Sequence, residues 1–205
     1  MSIDKETARE RQSRVVKSGN EWEKYVKLFL EERLKGTGIQ ILWESEAQRD
    51  KELGELLTLP TGFRNEFEWD DVDLLAVKDG FPIAVLNCKS SIHGRMSLYF
   101  WALLYKINRR VKFVVISPDS GAGGATWRSE WGTPDNPSKY RELARRYVDA
   151  IYIENVPEFC KAPPNDGTTF GDIIRPLEEL PEDMIRWCED LKFYGKQKSC
   201  KQMKL

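Results

Sequence analysis

Asp71-Val72-Asp73-Leu74-Leu75-Ala76-Val77-Lys78-Asp79-Gly80-Phe81-Pro82-Ile83-Ala84-Val85-Leu86-Asn87-Cys88-Lys89-Ser90-Ser91 is the stretch on which the fold turns. Two apolar runs flank Asp79-Gly80, a dipeptide suited to a tight hairpin turn, so the stretch reads as two antiparallel strands. An acid stands at its start and Asn-x-Lys at its end. Side chains alternate faces along a strand, so Asn87 and Lys89 point one way and Cys88 into the opposite layer. The hairpin folds Asp73, Asn87 and Lys89 back to one end of a Val/Ile/Leu/Ala sheet. Burying polar groups there carries a desolvation penalty, tolerated chiefly where a ligand or a reaction needs them.

Elements on either side extend the sheet into a layered α/β unit. Trp22, Tyr25, Val26, Phe29 and Leu30 recur at helical spacing, which predicts a helix from Asn20 to Leu34 closed by Gly36, with Glu21, Glu23 and Lys24 among its charges. Ile39 to Trp43 reads as a short strand. Glu44 to Leu59 is charged and helical in pattern, and Pro60-Thr61-Gly62 punctuates it. After the hairpin come a helix over Met96 to Asn108 and a strand over Lys112 to Ser117. The expected order is αβββαβ, a mixed central sheet flanked by helices. A further helix (Lys139 to Val148), a strand (Ala150 to Ile153), a linker (Pro157 to Asp166) and a last amphipathic helix (Pro181 to Tyr194) precede a basic tail.

The chain has 205 residues, 40% hydrophobic and 11% aromatic, which suits one globular domain spanning 1–205, with its core over about 18–155 and a helical segment and tail over 156–205. Net charge is −1, so no global positive field advertises nucleic acid. The bases are nonetheless grouped: Arg9, Arg11, Arg14 and Lys17; Arg109, Arg110 and Lys112; Arg141, Arg145 and Arg146; and Lys192, Lys196, Lys198, Lys201 and Lys204. Each group alone reads as a solvated face, and together they suit a phosphate-facing groove. Cys88, Cys160, Cys188 and Cys200 show neither CxxC spacing nor a disulfide framework, which fits a reduced cytoplasm. The first residues lack a secretory apolar region, and no apolar run reaches the roughly 18 residues of a membrane span. The expectation is a cytoplasmic protein without membrane contact. Gly121-Ala122-Gly123-Gly124 lacks both phosphate-loop patterns, so no nucleotide cofactor is expected.

His93 is the one histidine, which removes two-histidine nucleases and multi-histidine zinc sites from consideration. The usable catalytic groups are carboxylates and lysines. Carboxylates are hard ligands suited to magnesium, which keeps waters and meets substrate phosphate oxygens. A lysine beside such a metal stabilises charge on an attacked phosphate or helps deprotonate a water. Asp73 and Lys89, sixteen residues apart across a turn, allow that arrangement. The reaction it implies is metal-assisted hydrolysis of a phosphodiester.

With a helix bearing Glu21 and Glu23 before it, and a helix and strand after it, the Asp73–Asn87–Lys89 hairpin resembles the PD-(D/E)xK nuclease superfamily over about Ser18 to Ser117. Within it, Cys88-Lys89-Ser90-Ser91 leading to an arginine is most similar to type II restriction endonucleases, loosely to the group that cuts CCGG-centred sites. The resemblance implies a restriction-endonuclease-like core and a Mg2+-dependent, sequence-specific double-stranded DNA endonuclease. It makes Asp73 the principal metal ligand, Lys89 the catalytic lysine, and Glu23 or Glu21 the outer acid. Asn87 stands where the family pattern has Asp or Glu. An amide offers a carbonyl oxygen but no charge. Three readings follow: a natural Asn87 with Glu23 or Glu21 supplying the lost charge, an engineered inactivating change, or a degenerate site.

Ser90, Ser91, His93 and Arg95 follow the active-site strand, where DNA is expected. Arginine bridges guanine O6 and N7, and a phosphate clamp is its equally weighted alternative. His93 alone is more often a packing residue. Trp127, Arg128 and Trp131 suit stacking on bases, although loop aromatics more often pack against their own domain. The Leu98–Tyr105 helix is apolar nearly all round, one side for the sheet and the other for a second subunit. Cutting both strands of a palindrome needs two sites about a twofold axis, hence a homodimer. The competing readings are repair or junction cleavage on the same fold, a DNA-binding protein on a degenerate nuclease fold, and a purely structural Asp73–Lys89 ion pair.

Overall fold

Asp79 and Gly80 both take positive φ, 51° and 76°, and close the predicted hairpin between β4 (Leu74–Lys78) and β5 (Phe81–Cys88). The computed structural model describes residues 8–57, 59–60, 67–68, 72–92, 95–108, 111–119, 129–132, 136–154 and 173–189, with side chains described from residue 19 onward apart from those of 55–57, 59–60, 67–68 and 108. Before the hairpin come α1 (Ala8–Arg33), β1 (Ile39–Trp43), α2 (Glu44–Arg49), α3 (Lys51–Leu57), β2 (Leu59–Pro60) and β3 (Phe67–Glu68). After it come α4 (Met96–Asn108), β6 (Lys112–Ser117), α5 (Lys139–Tyr147), β7 (Ala150–Ile153) and β8 (Ile174–Pro176). A short 3-10 turn (Leu177–Glu179) leads into α6, residues 180–189.

Six strands form one mixed sheet in the order β1-β4-β5-β6-β7-β8, and β2 and β3 pair separately. The β1–β4 and β4–β5 pairs are antiparallel; β5–β6, β6–β7 and β7–β8 are parallel. Period-two alternation splits the core cleanly. Leu75, Val77, Val85, Phe113, Val115, Ile151 and Ile153 face α4 and α5. Leu74, Ala76, Ala84, Leu86, Cys88, Val114, Ile116 and Tyr152 face α1 and α6. The result is three layers, a sheet between two helical sides, with the expected αβββαβ order inside it.

The differences from the expected boundaries have local causes. The first helix starts at Ala8 rather than Asn20: Gly19 interrupts the apolar spacing, yet the good helix formers before it carry the helix through. The charged segment after β1 makes two helices, because the Asp50 carboxylate accepts from the N–H groups of Glu52 and Leu53 (3.1 and 3.2 Å) and starts the second as a cap. β8 went unpredicted; three residues ending in a proline carry too little pattern. Helix α4 matches its predicted bounds, but it is buried on one side only. Leu98, Trp101, Ala102 and Tyr105 face the sheet, while Met96, Phe100 and Ile107 are exposed. The predicted linker, the basic tail, Cys160, Cys200, Arg109, Arg110 and the Gly121–Gly124 segment lie outside the described residues. No helix among the described residues is long and apolar enough to cross a membrane.

Candidate active site

An antiparallel hairpin followed by a parallel strand gathers three chain ends at one rim of the sheet: the entry to β4, the exit of β5 and the exit of β6. Asp73 stands one residue before β4. Its Oδ2 accepts from the Cys88 N–H (2.6 Å) and from Lys89 Nζ (2.8 Å), and its Oδ1 lies 3.1 Å from the same ammonium. Lys89 leaves the end of β5 with its backbone N–H donating to the carbonyl of Ile116 (2.9 Å). The indole Nε1 of Trp22 donates to that same carbonyl (3.2 Å). One acceptor on β6 therefore fixes both the end of β5 and the turn of α1 that carries the next residue, Glu23.

Glu21 and Glu23 are separated by about 200° around the helix axis, so at most one of them faces the sheet. Glu21 is exposed and Glu23 partly buried. Burial first, and then the negative charge of Asp73, push the Glu23 carboxyl up to about 7; Lys89 opposes the rise and Glu44 adds to it. Burial likewise drives the Cys88 thiol upward, assisted by Asp73 and Glu23. Two carboxylates beside one ammonium thus share a semi-enclosed rim. Both are hard oxygen donors, and a divalent cation would relieve the repulsion that raises Glu23, so the donor set fits magnesium, which takes one or two carboxylates and keeps waters. Among the described residues no group of three or more His, Cys, Asp or Glu side chains is placed to hold a metal; water and substrate oxygens would have to complete any shell.

Asn87 is fully buried, aligned with Val115 of β6 in the parallel ladder. By alternation it faces the α4/α5 layer, whereas Cys88 sits in the α1 layer as the sequence implied. Ser90 and Ser91 are partly buried and Arg95 is exposed, all within a few residues of Lys89. His93 and Arg128 lie outside the described residues, as do Trp127 and Asp71. Trp131 is completely buried in the α4/α5 core, the packing alternative rather than a base platform.

Sequence reasoning missed four residues that shape this rim: Trp22 as an anchor, Glu44 as a third charge near Glu23, and the buried acids Asp119 and Glu130. Trp22 looked like any apolar helix residue. Glu130 lay in a Gly/Pro-rich loop without periodicity, and its only available signal was an acid between two aromatic residues.

A family model described as BsaWI restriction endonuclease type 2 matches residues 49–182 of the chain. Among solved structures the chain is similar to the restriction endonuclease AgeI in a specific DNA complex, with a TM-score of 0.66 and 19% identity over 90% of this chain and 72% of that one. It is also similar to BsaWI in a pre-specific DNA complex, with a TM-score of 0.49 and 16% identity over 88% and 65%. No curated protein matches the chain significantly.

Proposed function

The chain belongs to the BsaWI type 2 restriction endonuclease family, and from that premise we propose that it is a Mg2+-dependent endonuclease that hydrolyses phosphodiesters of double-stranded DNA at a specific sequence, with Asp73, Glu23 and Lys89 as its working groups. The observation that carries this reading is the Lys89 ammonium held by Asp73 (2.8 Å) beside a carboxyl whose pKa is near 7. A carboxyl held up by burial and by the neighbouring charge of Asp73 is one that a divalent cation would stabilise as the carboxylate.

Asp73 and Glu23 would hold the magnesium, with the Asn87 carbonyl as a neutral neighbour and Glu21 too exposed to join without a helix rotation. When bound, the metal supplies Lewis acidity toward phosphate oxygens and lowers the pKa of water. Lys89 sets positive charge where the phosphate arrives, and Asp73 keeps that side chain from swinging. Glu23 would orient the attacking water, whose proton passes to the solvent. The water oxygen bonds to phosphorus, one ester P–O bond breaks, and the leaving oxygen takes a proton from solvent. Ser90, Ser91 and Arg95 extend from Lys89 toward the DNA as readers or phosphate clamps, with His93 and Arg128 assigned to the same role from sequence alone.

Residues 1–205 would act as one nuclease domain, which the six-stranded mixed sheet with core on both faces supports, and the buried thiols of Cys88 and Cys188 suit a reducing cytoplasm. A homodimer is supported by Met96, Phe100 and Ile107, which expose an apolar stripe along one side of α4. A second reading, a DNA-binding or repair and junction protein on a degenerate nuclease fold, draws on the neutral, fully buried Asn87.

Digestion of a long defined DNA with magnesium, followed by sequencing of fragment ends, tests the proposal. The chain is expected to give discrete fragments with one common end sequence, and Lys89→Ala none. Cutting by Asn87→Asp alone marks the present chain as a disabled nuclease. Absence of cutting by every version, with DNA still bound, establishes the second reading.

A further inference from the structure

Past Lys89 the chain leaves the sheet, and what holds it is a carboxylate from a distant loop. Glu130 is 7% exposed, and both of its oxygens are used on this segment. Oε1 accepts from the Ser91 hydroxyl (2.7 Å) and Oε2 from the Ile92 backbone N–H (2.8 Å). The Ile92 carbonyl then accepts from the Arg95 N–H (3.2 Å), so the carboxylate that holds Ser91 and Ile92 reaches Arg95 through one backbone bond. Glu130 is itself fixed. Its N–H donates to Asp119 Oδ1 (2.8 Å), the Ser129 hydroxyl donates to Asp119 Oδ2, and Asp119 donates its own N–H to Ser117 Oγ (3.1 Å) at the end of β6. Asp119 is 2% exposed and holds a positive φ of 46°, a conformation in which its neighbours must keep it. The next residue, Trp131, is buried in the core and pins the loop there.

Two independent restraints therefore meet at Lys89. Its ammonium and N–H are held by Asp73 and Ile116, whereas Ser91 and Ile92, and through Ile92 the Arg95 backbone, are held by Glu130. We propose that Glu130 is a positioning residue for sequence discrimination: it sets the placement of Ser91, Ile92 and Arg95 against the bases and leaves the reacting groups to Asp73 and Lys89. The inference rests on the nuclease reading above.

The test is the end-sequencing digestion, applied to the unaltered chain, Glu130→Ala, Glu130→Gln and Glu130→Asp, each first checked by thermal melting. Glu130→Ala is expected to raise the share of ends at sequences one base pair removed from the preferred one by about tenfold, the weight of one lost base-pair discrimination. Its single-turnover rate at the preferred sequence should stay of the same order. Glu130→Gln should retain the parental pattern, because its amide oxygen accepts from Ile92 and its NH2 donates to Ser91 Oγ. Should the alanine variant fail to fold, Glu130→Asp, one methylene short of spanning both contacts, is expected to show the same direction of change. Unchanged ends in the folded alanine and aspartate variants overturn the inference, as does an equal loss of cutting at preferred and altered sequences. No cutting by the unaltered chain overturns the nuclease reading and this inference together.

Discussion

Replacing Glu23 by glutamine should remove a pH-dependent penalty that the active site imposes on the fold. The Glu23 carboxyl has an ordinary value of 4.5 and is raised to about 7 by burial and by Asp73. The folded state therefore holds this proton more tightly than the unfolded chain. Stability contributed by the protonated form is fully present below pH 4.5 and is lost as pH rises through 7. Without screening, that separation corresponds to about 3 kcal/mol; with allowance for the solvent that reaches a partly exposed rim, about 1–2 kcal/mol remains. Urea unfolding of the metal-free protein at pH 5 and pH 8 measures it. The parent should lose roughly that much more stability than Glu23→Gln between the two pH values, so the variant should be the more stable protein at pH 8. Adding magnesium at pH 8 should restore the parent and leave the variant nearly unmoved. Equal pH dependence in the two proteins would refute the coupling of Glu23 to Asp73, and equal magnesium responses would refute their joint role as ligands.

Three further changes probe the supports of the site. Trp22→Phe removes the indole donor to Ile116 while keeping the ring, and should cost about 1 kcal/mol in chemical denaturation, with a larger proportional loss in cutting rate than in DNA affinity. Gly132→Ala places a methyl 2.5 Å from the Asn136 carbonyl and 2.6 Å from the Ser138 nitrogen at a φ of 72°. Backbone must shift, so a loss of about 1–3 kcal/mol is expected and is read as a lower melting temperature. Asn87→Asp introduces a carboxyl at a fully buried position. It should destabilise the metal-free protein by about 2–4 kcal/mol at pH 8 and recover part of that with magnesium; a melting curve indifferent to the metal would place residue 87 outside the ion's reach.

The hairpin was legible because two independent signals coincide in it: alternating apolar strands and an Asp-Gly turn whose two residues require positive φ. Asp73 and Lys89 were legible for the same reason, since a known turn fixes which strand ends meet. Glu21 and Glu23 were left undecided by composition, and the helical phase separates them. Asp119 and Glu130 were not legible at all. Asp119 bridges the end of β6 to the Glu130 loop, and Glu130 reaches back 38 and 39 residues to Ile92 and Ser91. Loop residues have no period to betray where they point. The start of α1 was misplaced because Gly19 resembles a boundary, although open space around its Cα leaves the helix free to continue.

Strand β6 carries an unusual share of these attachments. Its Ile116 carbonyl receives both Trp22 and Lys89, and its last residue, Ser117, with Asp119 just beyond, begins the tether that ends at Ile92. It lies in the interior of the sheet, with both faces covered. Interior strands of this kind open last, commonly near the free energy of global unfolding. On the proposed reading, a thermal fluctuation that frees β6 would release the groups assigned to cutting and those assigned to reading in a single event. Such a molecule would fail silent: a copy damaged at its centre would lose the blade along with the sight, and indiscriminate cleavage would require damage confined to the outlying loop.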